Sequence, residues 1–210
     1  MKKFELTSET KINISGKKLF RIKALISFAD VEAGETGGWV EKEGNVNQSG
    51  DAWVSGNAEV SGNAEVSGNA EVSGNAKVYG NAKVYGNAEV SGNAWVSGDA
   101  WVSGNAEVSG NAEVSGNAWV SGNAEVSGNA WVSGDAWVSG NADYTTIHGF
   151  GTQFRTTTFF RCKDKKVRVA CGCFFGTIPE FREQVKNTRK GKIAEEYLMI
   201  ADLMEKHFEK

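Results

Sequence analysis

From Gly50 to Ser139 the chain consists of fifteen uninterrupted hexapeptides of the form Gly-(Asn/Asp)-Ala-X-Val-(Ser/Tyr). No other feature narrows the possible folds as far. A six-residue unit is too short to bury anything alone and must stack on its own copies. Within each unit Ala-X-Val runs inward, outward, inward, the alternation of a brief half-buried strand. Gly-Asn follows as a corner, because Gly and Asn best tolerate positive φ. A helix is excluded. Gly at every sixth position costs about 1 kcal/mol each, with no compensating 3.6-residue period. Repeated without variation, such a strand and corner coils, each strand pairing with its equivalent one turn later. Degenerate copies flank the array, Gly44-Asn45-Val46 before it and Gly140-Asn141-Ala142-Asp143-Tyr144-Thr145 after it.

The aliphatic-x-x-x-small-x run of Val54-Ser55-Gly56-Asn57-Ala58-Glu59 resembles the hexapeptide-repeat superfamily of left-handed parallel β-helices. The resemblance implies the left hand and three hexapeptides per coil; ordinary parallel crossovers are right-handed in about 98% of cases. The expected fold is an all-β solenoid with 18 residues per coil and five to six coils, rising about 4.8 Å per coil. An interior of Val and Ala alone is thin. Hydrogen bonds between coils, stacked Asn corners and covered ends are therefore expected to contribute.

The flanks have the composition of such covers. Residues 1–43 are expected to form an N-terminal β cap, with strands at Thr10–Ser15 and Lys18–Leu25 around a turn at Gly16. The β-helix occupies 44–145. A small α+β cap fills 146–210, where Thr157–Arg161 and Lys166–Phe175 suggest a hairpin around Lys163-Asp164-Lys165. Thr177-Ile178-Pro179-Glu180 has the capping-box pattern with an early Pro and opens a helix to about Lys190. A second helix, 192–208, is expected to bury Ile193, Tyr197, Ile200, Leu203, Met204 and Phe208.

Both flanks are also similar to a group of phage and prophage proteins in which such segments bracket a hexapeptide array. The similarity is carried by Leu19-Phe20-Arg21-Ile22-Lys23-Ala24-Leu25, by Ala33-Gly34 through Gly37-Gly38-Trp39-Val40-Glu41, and by Thr157-Thr158-Phe159-Phe160-Arg161 through Cys171-Gly172-Cys173-Phe174. It implies a viral origin and brings no catalytic residues. The expected setting is the host cytoplasm, or the virus particle.

With 18 residues per coil the variable position X sorts into three columns. One reads Trp53, Glu71, Glu89, Glu107, Glu125 and Asp143; the second Glu59, Lys77, Trp95, Glu113 and Trp131; the third Glu65, Lys83, Trp101, Trp119 and Trp137. Rings about 4.8 Å apart can stack with an offset, contributing about 0.5–1.5 kcal/mol per pair. A Trp face stiffens the coil and also exposes an apolar patch on the scale of contact surfaces. Trp101, Trp119 and Trp137 are the first candidate contact residues, with Trp95 and Trp131 secondary. Hexapeptide β-helices commonly form trimers with parallel axes, so a homotrimer is expected. The carboxylate column is self-repelling. It solvates the surface, pairs with basic residues of a neighbouring subunit, holds calcium, or imitates a nucleic-acid backbone toward a basic host protein.

Charge agrees with that division. Residues 50–145 hold 11 acidic residues and 2 Lys, while the flanks hold 21 basic and 15 acidic residues. The net charge of −3 offers no general affinity for nucleic acid, and none is expected as a partner. Met1-Lys2-Lys3-Phe4 opens no apolar h-region, no stretch reaches 18 apolar residues, and three Cys do not describe a disulfide framework. A soluble protein of a reducing compartment is expected. Acyltransferases resembling this coil need a catalytic His, whereas the array has none; His148 and His207 lie outside it. Carbonic anhydrases on the same coil use three zinc-binding His. Cys162, Cys171 and Cys173 could supply three zinc ligands, but the fourth, His148 or His207, is unassigned, so they are expected to be buried strand cysteines. No phosphate-binding loop, dinucleotide fingerprint or nucleophile elbow occurs outside the six-residue period. The expected function is a non-enzymatic scaffold without cofactor or metal. A hexapeptide-type acyltransferase and a viral inhibitor acting through the acidic face are the alternatives.

Overall fold

The computed structural model describes residues 2–209. Strands β1 (Phe4–Ile12), β2 (Lys18–Ala24) and β3 (Thr36–Val40) pair antiparallel in that order. Strand β3 then pairs parallel with Glu59–Val60, so the N-terminal sheet runs without a break into the solenoid. The first strand begins earlier than the expected 10–15. Asn13 ends it, because its Oδ1 accepts from the amides of Ser15 and Lys17 and closes the hairpin around Gly16 at φ 76°.

The array follows as fifteen two-residue strands, β4 to β18, each an X-Val pair, from Trp53–Val54 to Trp137–Val138. They stack into three parallel sheets whose partners are one coil apart, Glu89 on Glu107 and Trp101 on Trp119. The result is a β-solenoid of about six turns, as the repeat implied. All fifteen Val of the array are fully buried and its Ala are 0–1% exposed, so the whole interior is made by two residue types.

At the corners the two expected residues do different jobs. Only Gly enters the left-handed region, with φ between 62° and 76° from Gly50 to Gly134. The following Asn instead builds ladders along the axis. Asn57 Nδ2 donates to Asn75 Oδ1 at 3.3 Å, Asn75 to Asn93 at 3.1 Å, Asn93 to Asn111 at 3.1 Å and Asn111 to Asn129 at 3.0 Å. Asp accepts but cannot donate. The ladder that reaches Asp99 from Asn81 therefore stops there and restarts at Asn117.

Gly serves a second purpose. A Cβ on Gly98 would lie 3.0 Å from both N and O of Gly116 in the next turn, whereas one on Gly128, at φ 67°, would meet nothing within 4 Å. Gly128→Ala is expected to cost only the left-handed backbone, about 1–2 kcal/mol. Gly98→Ala should cost at least about twice that, because coil spacing must also open. Urea midpoints of the two variants measure the difference; equal midpoints would show that the close approach carries no energy.

The two ends are closed differently. At the first, the turn is longer by two residues, Val40 and Val46 meeting Val60 and Val66. Lys3, 2% exposed, covers it by donating from Nζ to the carbonyls of Gly50 at 3.0 Å and Ala52 at 2.7 Å. Burial lowers the Lys3 pKa from its usual value, opposed by the charge of Asp51. Asn45 Nδ2 donates to Gly62 O and Ala64 O, and Gln48 bonds the Phe4 backbone from both ends of its amide.

At the other end β19 (Tyr144–Phe150), β20 (Arg155–Arg161), β21 (Val167–Cys171) and β22 (Phe174–Thr177) form an antiparallel sheet, followed by α1 (Ile178–Thr188) and α2 (Gly191–Phe208). The expected strand at 166–175 is split. Gly172, at φ 61°, turns the chain between β21 and β22, so of the three cysteines expected to be buried in strands only Cys162 is; Cys171 is half-buried and Cys173 exposed. The capping box forms as read: Thr177 N donates to Glu180 Oε2 at 2.7 Å. In α2 the buried stripe is Tyr197, Ile200, Ala201, Met204 and Phe208. Ile193 is half-buried, and Leu203 is 58% exposed. Leu203 lies about 100° around the helix from Met204, off the face that meets α1. The cap docks on the last turn through an Ala136–Cys162 bridge, Lys163 N donating to Asp135 O at 3.1 Å, and Trp131 N donating to Thr158 Oγ1 at 3.0 Å.

Candidate functional site

Because side chains alternate along a strand, Val must point inward at every rung and X outward. The array therefore displays X as three vertical columns one coil spacing apart. The Glu column holds Glu71, Glu89, Glu107 and Glu125 on adjacent rungs, all exposed. None of the four has a salt-bridge partner among the described residues. Trp53 stands on the first rung of this column, paired with Glu71, but it is covered: 5% exposed and packed edge-on against Phe4 and Phe28. Asp143 lies beyond the last strand on a short 3-10 turn, where it accepts from Ser139 N and Oγ and pairs with Arg161 at 3.4 Å. The column ends instead where Asn141 Oδ1 accepts the Glu125 amide.

The third column brings Trp101, Trp119 and Trp137 together on successive rungs. Trp119 and Trp137 are stacked, centroids 5.8 Å apart and planes 7° apart; Trp101 meets Trp119 edge-on at 5.9 Å and 68°. Trp119 is the anchor. It is half-buried, and its indole N–H donates to Ser103 Oγ at 3.1 Å. Trp101 and Trp137 remain 40% and 45% exposed. In the second column Trp95 is 37% exposed, while Trp131 is half-buried against the core with its N–H 3.4 Å from Ser115 Oγ. The five Trp thus divide into three exposed rings and two that also stiffen the coil.

Four of these indoles, all but Trp137, lean over the residue sixteen positions earlier, one coil below and two residues along. Under Trp119 and Trp131 that residue is Ser, and the N–H finds its hydroxyl. Under Trp95 and Trp101 it is Tyr79 and Tyr85, which meet the rings edge-on at 6.2 and 6.1 Å. Lys77 and Lys83 complete the pairs, their Nζ 5.2 and 5.6 Å from the Trp95 and Trp101 centroids. Tyr79, Tyr85, Lys77 and Lys83 therefore extend the aromatic faces downward. Sequence reasoning passed over the two Tyr, although the units carrying Tyr are also those carrying Lys, three units before a Trp. A shallow groove of about 360 Å³ runs beside Trp101 and Trp119, edged by Asp99 and Asp135 at the corner and Lys163 above.

The remaining candidates do not converge. His148 Nδ1 lies 3.3 Å from Thr156 Oγ1, and His207 packs edge-on against Phe208. Among the described residues no three His, Cys, Asp or Glu side chains are placed to hold a metal ion, and no helix is long and apolar enough to cross a membrane. Cys162 is buried beneath the cap, and that burial pushes its thiol up to about 11.

Stacked rungs, an invariant core and a variable outer position define a repeat β-solenoid. Within that class, residues 82–98, from the Lys83–Tyr85 unit to the Trp95 unit, match the YdcK β-solenoid repeat model. No curated protein matches the sequence.

Proposed function

We propose that this protein is a non-enzymatic scaffold whose Trp face is a contact surface between copies of itself, assembled as a trimer with parallel axes. The observation that supports this most directly is the exposure of Trp101 and Trp137 on either side of the anchored Trp119. Rings serving only to stiffen the coil need not stand clear of it, whereas exposed contiguous aromatic surface is the usual mark of a contact. Parallel axes bring the same rungs of neighbouring copies level, so each ring column meets an equivalent surface around a closed axis. The similarity of the flanks to phage and prophage proteins supports a viral origin. An intracellular or particle-associated role in the host follows from that origin, without cofactor or nucleic acid.

Replacing Trp101, Trp119 and Trp137 together with Ser is expected to leave the β circular dichroism signal in place while the mass in sedimentation velocity falls about threefold. A wild-type protein that sediments as a monomer at micromolar concentration would refute the trimer. A second reading is favoured by the four carboxylates of the Glu column, which have no partner among the described residues: capture of a basic host protein. Under that reading Glu89→Gln with Glu107→Gln abolishes capture, and the captured partner is released by salt.

A further inference from the structure

Five elements of the C-terminal cap enclose a cavity of about 250 Å³ that the solenoid does not touch: the end of β19, the start of β20, the β21–β22 turn, α1 and α2. Its apolar lining comes from Phe150, Phe174, Phe181 and Val185. Its polar side contains Arg155 and Arg189 and no carboxylate. Those two guanidiniums stand apart from the others in the chain. Arg161, Arg168 and Arg182 each pair with an acidic side chain, and Arg21 lies over the Trp39 ring at 4.8 Å. Arg155 and Arg189 have neither kind of partner among the described residues.

The local backbone is shaped around these groups. Gly172 and Gly151 both take positive φ, 61° and 71°. A Cβ on Gly172 would collide with Nη1 of Arg155, and one on Gly151 with the hydroxyl of Tyr197. That hydroxyl donates a long bond, 3.3 Å, to the Phe150 carbonyl and lies beside the Cys171 thiol. Burial, followed by the neighbouring Cys171, raises its pKa above the ordinary value against the opposing charge of both arginines. It therefore stays protonated at neutral pH and able to donate.

We propose that this cavity binds a small organic anion, its oxyanion held by Arg155 and Arg189 and its single-ring apolar body resting on Phe150, Phe174 and Phe181. Guanidinium groups match carboxylate and phosphate oxygens in pairs. The volume lies just below the range of sites for drug-sized ligands, which favours one ring over two.

The exposed Cys173 and the half-buried Cys171 line the same cavity and report on it, while Cys162 is the unreactive internal control. Alkylation of the full chain by iodoacetamide is followed at each cysteine by peptide mass spectrometry, with phenyl phosphate, inorganic phosphate or benzyl alcohol as probe. Phenyl phosphate is expected to slow alkylation of Cys171 and Cys173 by about fivefold or more at saturation. Inorganic phosphate should protect more weakly and benzyl alcohol not at all. The R155Q/R189Q protein should lose the protection while keeping its helical circular dichroism. Unchanged alkylation with phenyl phosphate, equal protection by benzyl alcohol, or full protection in a folded R155Q/R189Q would each overturn the proposal. The comparison of phenyl phosphate with benzyl alcohol is made on the wild-type protein and stands even if the double variant fails to fold.

Discussion

Deleting residues 104–121 is expected to leave the protein assembled, and deleting 104–109 to leave it folded but dispersed. Either deletion removes whole hexapeptides, so Val remains inside, Gly remains at the corner, and backbone bonds of the kind Trp101 N to Ala118 O re-form with new partners. The longer deletion takes out one turn. It sets Trp137 on the rung above Trp101, where Trp119 now stands, and keeps the aromatic column shorter by one ring. The shorter one turns everything downstream by a third of a coil. Glu125 then lands above Trp101, while Trp119 and Trp137 pass to the second column. The cap rotates with them, because its bonds are to Trp131, Asp135 and Ala136 on the last turn. Circular dichroism and sedimentation velocity on the pair separate fold from assembly. If both variants sediment alike, face register has no part in association.

Phe160→Ala is expected both to cost stability on the scale of the largest single substitutions in the cap and to uncover the end of the solenoid. Phe159 and Phe160 are adjacent on β20 and both fully buried, yet they point to opposite faces and belong to different cores. Phe160 closes the end of the Val/Ala column with Cys162 and Ala170; Phe159 packs under α1 beside Phe181, centroids 6.2 Å apart. Truncating a fully buried Phe costs about 3–5 kcal/mol. At position 160 the loss also loosens the cover over the last rungs, whose free strand edges are sticky. Phe160→Ala should therefore lower the denaturant midpoint and promote end-to-end association in light scattering. Phe159→Ala should lower the midpoint by a similar amount without association. Association of both variants, or of neither, would show that Phe160 is not the cover.

The solenoid was legible because one inward residue type and one corner residue recur without error, and periodicity reports burial directly. The faces were legible for the same reason, since the 18-residue coil converts spacing into position. Asp143 left its column and Trp53, although in register with Glu71, lost its exposure, because each meets cap residues whose contacts are not periodic: Arg161 for the first, Phe4 and Phe28 for the second. Tyr79 and Tyr85 escaped notice because their significance lies in the lean of an indole across a coil, a side-chain direction that no one-dimensional period carries. In the C-terminal cap the capping box announced its helix, but Gly172 inside an apolar stretch was read as continuing strand. Its neighbour Arg155 lies in another strand and is what fills the space above it.

The corner ladders have a consequence for chemical ageing. An asparagine deamidates when the backbone nitrogen that follows it swings onto the side-chain carbonyl carbon. Along most of this array that nitrogen belongs to an Ala already donating back across the corner, as Ala76 N does to Ser73 O at 3.2 Å and Ala94 N to Ser91 O at 3.2 Å. The amide it would attack is held at both ends, Asn75 receiving from Asn57 and donating to Asn93. Cyclisation would require breaking both restraints together. Conversion of one interior Asn to Asp would cut its column as Asp99 already does, adding a charge and leaving the next carbonyl without its donor. An array so rich in asparagine is thus protected against the slow hydrolysis its composition invites, and age should show first at the ends, where the ladders run out.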